Sequence, residues 1–398
     1  MKDSALTLYL EIDFHNFKLF AVEHDDENNF KIVSELLFNL KGIENNRITN
    51  LEQSYNAIKE NIYLIEQRLN HTFKNIVLII DNFNPTFNNL TGFKKLDGSQ
   101  VLRENITYIL NTLKSIVNEN EKNKTLLHIF NSKFFLDKKK IENLPIGLFG
   151  DFYSHELSFV LINTNDYKNL DNIFVKCNLK IKKILIKSFI KGAYISNTNK
   201  NFETFFHIQI NENHSKIFYF ENNSLKFEQN FNFGTDIIIK DISKITLLNF
   251  KTVKKILNEI KLQENILDDE LIEERYFEND EFKKVKKKLF YEIALARIKE
   301  ISELIFLKNI NLNNKNILTK NIFLEMNNSF QPKSLKVIFD IILSKNNDFY
   351  VNFLDSVPNK SLLIAANEIV HFGWEKEAIP VTHSKKSIIA KFFDIIFG

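Results

Sequence analysis

Few residues of this 398-residue chain are spaced for chemistry, and each candidate asks for something different. His207 and His214 lie seven apart in a stretch that reads as strand and turn. A structural metal ion asks for about four closely set ligands, and Cys177 is the one cysteine, so neither a metal centre nor a disulfide framework is expected. Cys177 itself reads as a small buried residue. Phosphate binding by backbone amides asks for glycine, whose missing Cβ lets the chain approach the oxygens. The sequence has 9 Gly, none of them between residues 199 and 233. An acidic run over 268–282, DDELIEERYFENDEF, meets a basic run over 283–288, KKVKKK. Opposed runs are ordinary solvated surface, although the basic one can also steer an acidic peptide. The sharpest signal is the last stretch, SKKSIIAKFFDIIFG, from Ser384 to Gly398. At 100° per residue, Ile388, Ile389, Phe392, Phe393, Ile395, Ile396 and Phe397 fill an arc of about 200°, with Ala390, Lys391 and Asp394 opposite and Lys385 and Lys386 leading in. A bilayer takes about 20 apolar residues to cross, so this face suits a helix lying in a membrane surface, or a last helix docked on the protein's own core.

These candidates sit in a chain long enough for two or more domains. Charged residues make up 26% and the net charge is +3, so no global basic field favours nucleic acid. The N-terminus, MKDSALTLYLEIDF, carries Asp3, Glu11 and Asp13 and lacks the uninterrupted apolar run of a secretion signal, so a cytoplasmic location is expected.

The elements that must position the candidates alternate. Residues 6–22 give two β-rich runs around a polar centre, a strand-turn-strand pattern. Ile58, Ile62, Ile65 and Leu69 then recur at helical spacing, and NIVLII at 75–80 suits a buried strand. A second helix is predicted over 99–117 and a strand at LLHIF, 126–130. Strand HELSFVLIN, helix YKNLDNIFVKC and strand KIKKILIK complete an α/β pattern. An internal repeat organises it. EIDFHNFKLF at 11–20 and QINENHSKIF at 209–218 both read Ile, five residues, Lys, aliphatic, Phe, about half the chain apart. Two related α/β halves facing each other across a cleft are expected.

Across nearly its whole length the chain resembles the bacterial cell-division family FtsA. The segment LLHIFNSKFFLDKKKIENLPIGLFGDFYSHELSFVLIN carries the clearest likeness, through His128, Asp137, Pro145, Gly147 and Gly150. NLDNIFVKCNLKIKKILIKSFIKGAYI at 169–195, with its Cys177 to Lys180 step, and the helices at 57–70 and 291–305 are similar as well. The resemblance implies an actin-like (ribonuclease H-like) α/β fold of two lobes, with an FtsA-type inserted subdomain and a C-terminal amphipathic helix. On that plan 1–85 and 163–203 form the first core subdomain, and 86–162 the insertion, which in the family carries self-association. Residues 204–240 and 322–372 form the second core subdomain. Residues 241–321 receive the C-terminal peptide of the tubulin-like FtsZ, 373–384 is a linker and 385–398 the membrane helix. Lys287, Lys288 and Arg297 are the residues implied to meet FtsZ.

The same resemblance implies ATP and Mg, and here the sequence departs from it. The family's Gly-Thr in the first phosphate loop falls on Asp13-Phe14, followed by His15 and Asn16. Its second loop, Asp-x-Gly-Gly-Gly-Thr, falls on Gln209 to His214, so the glycines become Asn211, Glu212 and Asn213, and Gly234 is the next glycine. The ribose-contacting Glu and Lys fall near Lys254 and Leu257, and a later Gly pair near Met326 and Asn327. ATP and Mg are therefore expected to be lost or weakened, with Phe14 filling the cleft, and no enzymatic activity is expected. The implied function is tethering of FtsZ filaments to the inner face of the cytoplasmic membrane at the division septum, with self-association and recruitment of later division proteins. The alternatives are another actin-like membrane adaptor of the pilus-assembly type, or an ATPase or sugar kinase of the same superfamily.

Overall fold

The computed structural model describes residues 5–378, apart from 14–15, 25–29, 40, 45–46, 82, 200–201, 261, 263–265, 278–279, 313–320, 327–332 and 345–348. Phe14, His15, Asn327 and the amphipathic stretch 385–398 thus lie outside the described residues. The chain divides into two compact units. The first takes the chain up to Glu203, Glu221–Phe227, and the described chain from Pro358 on; the second takes Thr204–Phe220 and Glu228–Val357.

In the first unit, strands β1 (Ala5–Ile12) and β2 (Asn16–His24) form an antiparallel hairpin extended by β3 (Phe30–Asn39). The ribbon of β4 (Ile43–Glu44) and β5 (Arg47–Ile48) leads to helix α1 (Leu51–Leu69). The Asn50 side chain accepts from the Gln53 amide at 3.0 Å to start this helix, and Asn70 ends it at φ 47°. Ile58, Ile62 and Ile65 are its buried face, each contributing about 1.5–3 kcal/mol on full burial. Strand β6 (Asn75–Ile80) follows, buried from Ile76 to Ile80 and parallel to β1. A separate antiparallel sheet comes next, made of β7 (Thr86–Lys95), β8 (Lys124–Leu136), β9 (Lys139–Ile141) and β10 (Phe152–Asn163) in the order β7-β10-β8-β9. Helix α2 (Arg103–Asn120) joins its core through Ile109, Leu110, Leu113 and Val117. Helix α3 (Thr164–Lys176), strand β11 (Lys180–Ile186) and helix α4 (Lys187–Thr198) return the chain to the first sheet, ordered β11-β6-β1-β2-β3.

The second half repeats that plan. Strands β12 (Phe205–Ile210), β13 (Ser215–Glu221) and β14 (Ser224–Phe231) are followed by α5 (Asp236–Thr246), α6 (Phe250–Glu259) and α7 (Lys287–Ser302), the last continuing as a π-helix over Glu303–Leu307. Strand β15 (Asn321–Met326), helix α8 (Lys333–Ser344) and strand β16 (Tyr350–Leu354) complete it, and helix α9 (Asn359–His371) follows. The sheet order is β14-β13-β12-β15-β16, the first sheet's order again, with β15 and β16 parallel to β12 as β6 and β11 are to β1. The sequence repeat falls at equivalent register: Glu11 opposes Lys18 in one hairpin, and Gln209 opposes Lys216 in the other.

Two sequence assignments shift. Helix α9, read as part of the second core subdomain, belongs to the first unit, where the Tyr9 hydroxyl donates to the buried Asn367 side chain at 2.8 Å. The stretch read as the start of a linker, 373–378, is docked. The indole N–H of buried Trp374 donates to the Asn223 carbonyl at 3.0 Å. Main-chain bonds from Asn131 N to Lys376 O (2.6 Å) and from Ala378 N to Ile129 O (2.7 Å) then add this stretch to β8. Such pairing satisfies backbone groups of β8 that β9, which pairs only with Phe134–Leu136, leaves open.

Candidate functional site

The first loop closes on itself through charge. Asp13 N donates to Asn16 O at 3.1 Å, continuing the β1–β2 pairing. Strand ends bring three carboxylates together: Glu11 and Asp13 from β1 and its turn, and Asp81 directly after β6. The Lys187 ammonium, at the start of α4, lies 2.6 Å from Glu11, 3.4 Å from Asp13 and 3.5 Å from Asp81, and Lys18 from β2 lies 3.2 Å from Asp13. Burial opposes the charge on Lys187, but the three carboxylates outweigh it and raise its pKa. Glu11 is itself almost fully buried. The carboxyl ends of parallel strands, where α/β proteins gather ligand groups, here hold an internal ion cluster.

The second loop, between β12 and β13, is closed by hydrogen bonds. Asn211 N donates to His214 O at 3.0 Å, Thr235 N to Asn211 O at 3.0 Å and Asp236 N to Glu212 O at 2.9 Å. The Thr235 and Asp236 amides at the start of α5 are thereby spent on the loop's own carbonyls. Gly234 makes this possible: a Cβ there would stand 2.1 Å from Asn211 O and 2.4 Å from Glu212 O. Lys254 reaches Glu212 at 2.6 Å, and the Asn211 side chain meets the His214 ring at 3.0 Å. Leu257 and Met326 are buried in the core. His207 is buried beside Glu325, 3.0 Å away, and Gln209 donates to the same carboxylate at 2.6 Å, so His207 and His214 serve separate partners.

The residues implied to meet FtsZ share helix α7 but not one surface. Lys287 pairs with Glu270, Lys288 with Asp268, and Arg297 reaches Asp241 of α5 at 2.5 Å and Glu300 at 2.6 Å. Arg297 thus clasps α5 to α7. A groove of about 700 Å³ opens where the end of α5 meets the start of α7. Ile245 and Leu289 give it an apolar floor, and Lys283, Lys284, Lys286 and Lys288 a basic rim with Asp268 and Glu292 among them. Arg297 is not among its lining residues.

Sequence reasoning missed a buried triad in the first unit. Glu377 accepts from Lys183 at 2.6 Å and lies 3.1 Å from His128 Nδ1, all three being buried. Three distant segments supply it, so no local spacing could reveal it; Lys183, a charge inside the apolar run KIKKILIK, was the available signal. Cys177 is half-exposed at the end of α3 rather than buried, and partial burial pushes its thiol up to about 11. No helix among the described residues is long and apolar enough to cross a membrane.

No family model matches the chain. Among curated proteins it is similar to the cell division protein FtsA of Buchnera aphidicola subsp. Schizaphis graminum (strain Sg), 23% identical over 320 residues that cover 73% of this chain and 76% of that one. It is also similar to the cell division protein FtsA of Buchnera aphidicola subsp. Acyrthosiphon pisum (strain APS), 22% identical over 242 residues, 61% of this chain and 57% of that one. Among solved structures, the PilM-PilN type IV pilus biogenesis complex superposes with a TM-score of 0.52 at 8% identity, covering 92% of this chain and 96% of that one. At that identity the likeness is one of fold. With the duplicated sheet order it gives the chain the actin-like fold, and the two curated relatives support an FtsA or actin-like affiliation.

Proposed function

We propose that this protein is a membrane adaptor of the division machinery, which binds the C-terminal peptide of FtsZ and holds FtsZ filaments at the cytoplasmic membrane. The observation that carries this reading is the α5–α7 groove, whose apolar floor and lysine rim suit a short acidic peptide with apolar anchors. The amphipathic pattern of 385–398 supports the membrane half. Exposed Phe93, Leu148, Phe149 and Phe152 on the inserted sheet and its loops support self-association, since exposed apolar clusters mark docking surfaces.

The adaptor works without nucleotide turnover. MgATP needs backbone amides facing its phosphates, whereas Asp13 and Glu11 at the first loop are already paired with lysines and the second loop spends the Asn211, Thr235 and Asp236 amides on its own carbonyls. The residues present do not fit MgATP, and no catalytic step is assigned to them. The test of the groove is affinity for the FtsZ C-terminal peptide. Lys284→Glu with Lys288→Glu lowers it about tenfold or more and removes its salt dependence. Affinity within threefold of the parent protein, about 0.7 kcal/mol, would place the peptide elsewhere.

A further inference from the structure

A second cavity, with apolar and polar walls, lies at the opposite end of the first sheet, by the amino ends of β1, β6 and β11. It measures about 360 Å³, within the range of small-ligand sites. Its polar wall is Thr7, His71, Thr72, Lys74, Lys182 and His371, and among the described residues no carboxylate lines it.

Three observations bear on its occupant. Lys182 is the extra residue of a β-bulge: β11 follows β6 through Ile181 opposite Ile76, then resumes with Lys183 opposite Val77. Bulges re-aim side chains, and here successive lysines part, Lys183 going to Glu377 and Lys182 to the cavity. Secondly, Lys182 is only partly exposed and has no carboxylate within ion-pair distance among the described residues; burial and then Lys183 lower its pKa. Thirdly, the His371 ring lies tilted against that of His24, centroids 3.8 Å apart, and is pushed down to about 3 by burial, then by Lys182 and His24. A half-buried cation without a counter-ion is a cost that a bound anion offsets.

We propose that this cavity binds a phosphate monoester, with Lys182 as its main charge partner and Lys74, Thr7 and Thr72 as further donors. Two ammonium groups and two hydroxyls match a group carrying about −1.5 to −2 charge at neutral pH, and the volume leaves room for the organic part. The monoester is either a soluble metabolite or a lipid head group, and the proposal stands apart from the division reading.

The test uses the full chain, titrated at fixed ionic strength with glycerol 3-phosphate, and separately with vesicles of phosphatidic acid against phosphatidylcholine. Lys182→Met and Lys182→Gln weaken binding about tenfold or more, as loss of a charge-assisted contact does. An effect with glycerol 3-phosphate assigns a soluble ligand; one confined to phosphatidic acid vesicles assigns a lipid head group. Both variants melt at or above the parent temperature, because an uncompensated cation is gone. In the parent protein glycerol 3-phosphate raises the His371 pKa, followed by ring NMR signals. No binding in either arm, or binding that both variants leave unchanged, overturns the proposal.

Discussion

Glu377 shows how much one carboxylate can hold in place. Burial alone would raise its pKa, but Lys183 and His128 hold it below the ordinary carboxylate value, while burial holds His128 below 6.5 against the pull of Glu377. Both shifts have one sign. A depressed carboxylate stabilises the fold above its unfolded pKa of about 4.3 and loses this as pH falls through its folded value; a depressed histidine begins to lose stability as pH falls below about 6.5. Docking of 374–378 therefore weakens on the acid side of these values. Trp374, the one tryptophan, reports it. Glu377→Ala leaves Lys183 buried and unpaired, a loss of about 3–5 kcal/mol, and shifts Trp374 emission to the red. Unchanged emission and melting temperature would show that the triad does not hold the segment. The ion cluster around Lys187 was half-legible: Asp81 and Lys187 each follow an apolar strand directly, but their meeting depends on strand order, which periodicity does not encode.

At the scale of elements the sequence spoke more clearly. The apolar run NIVLII became β6 residue for residue, and the spacing of Ile58, Ile62 and Ile65 became the buried face of α1, because burial on one or both faces dictates those patterns. The repeated hairpins were readable because the same Lys-aliphatic-Phe step packs against the same sheet position twice. The docked 373–378 strand was not, since its short polar-apolar mixture resembles a tether and its pairing partner lies some 245 residues away. The second loop makes its own prediction. Gly234→Ala forces a Cβ into two backbone carbonyls that cannot yield, costing about 1–3 kcal/mol and separating α5 from the loop. A denaturation midpoint equal to that of the parent protein would mean the loop relaxes freely, and with it the argument that its amides are unavailable.

For the whole molecule, the likeness was carried by the order of many weak segments, and at 8% identity the pilus-complex structure shows how little residue identity the fold requires. On the proposed reading, function at this scale comes from joining surfaces. Phe93 and Phe149 are each about two-thirds exposed, and Phe93→Glu with Phe149→Glu should turn a concentration-dependent assembly into a monomer in sedimentation velocity. An unchanged distribution would move self-association off the inserted sheet. The membrane half of the proposal rests on the apolar pattern of the tail, where interfacial burial of large side chains would nearly balance the entropy of ordering them, so that many tails in one assembly are expected to bind where one is not.

Recruitment of FtsZ filaments to a supported bilayer by the full-length protein joins these surfaces in one measurement. The account predicts dense filaments on the bilayer without nucleotide for the adaptor, no change on adding Mg-ATP, and loss of filaments from the surface with Phe392→Asp and Ile396→Asp. Filaments that stay in solution beside the parent protein, or that reach the bilayer only when Mg-ATP is added, would contradict it.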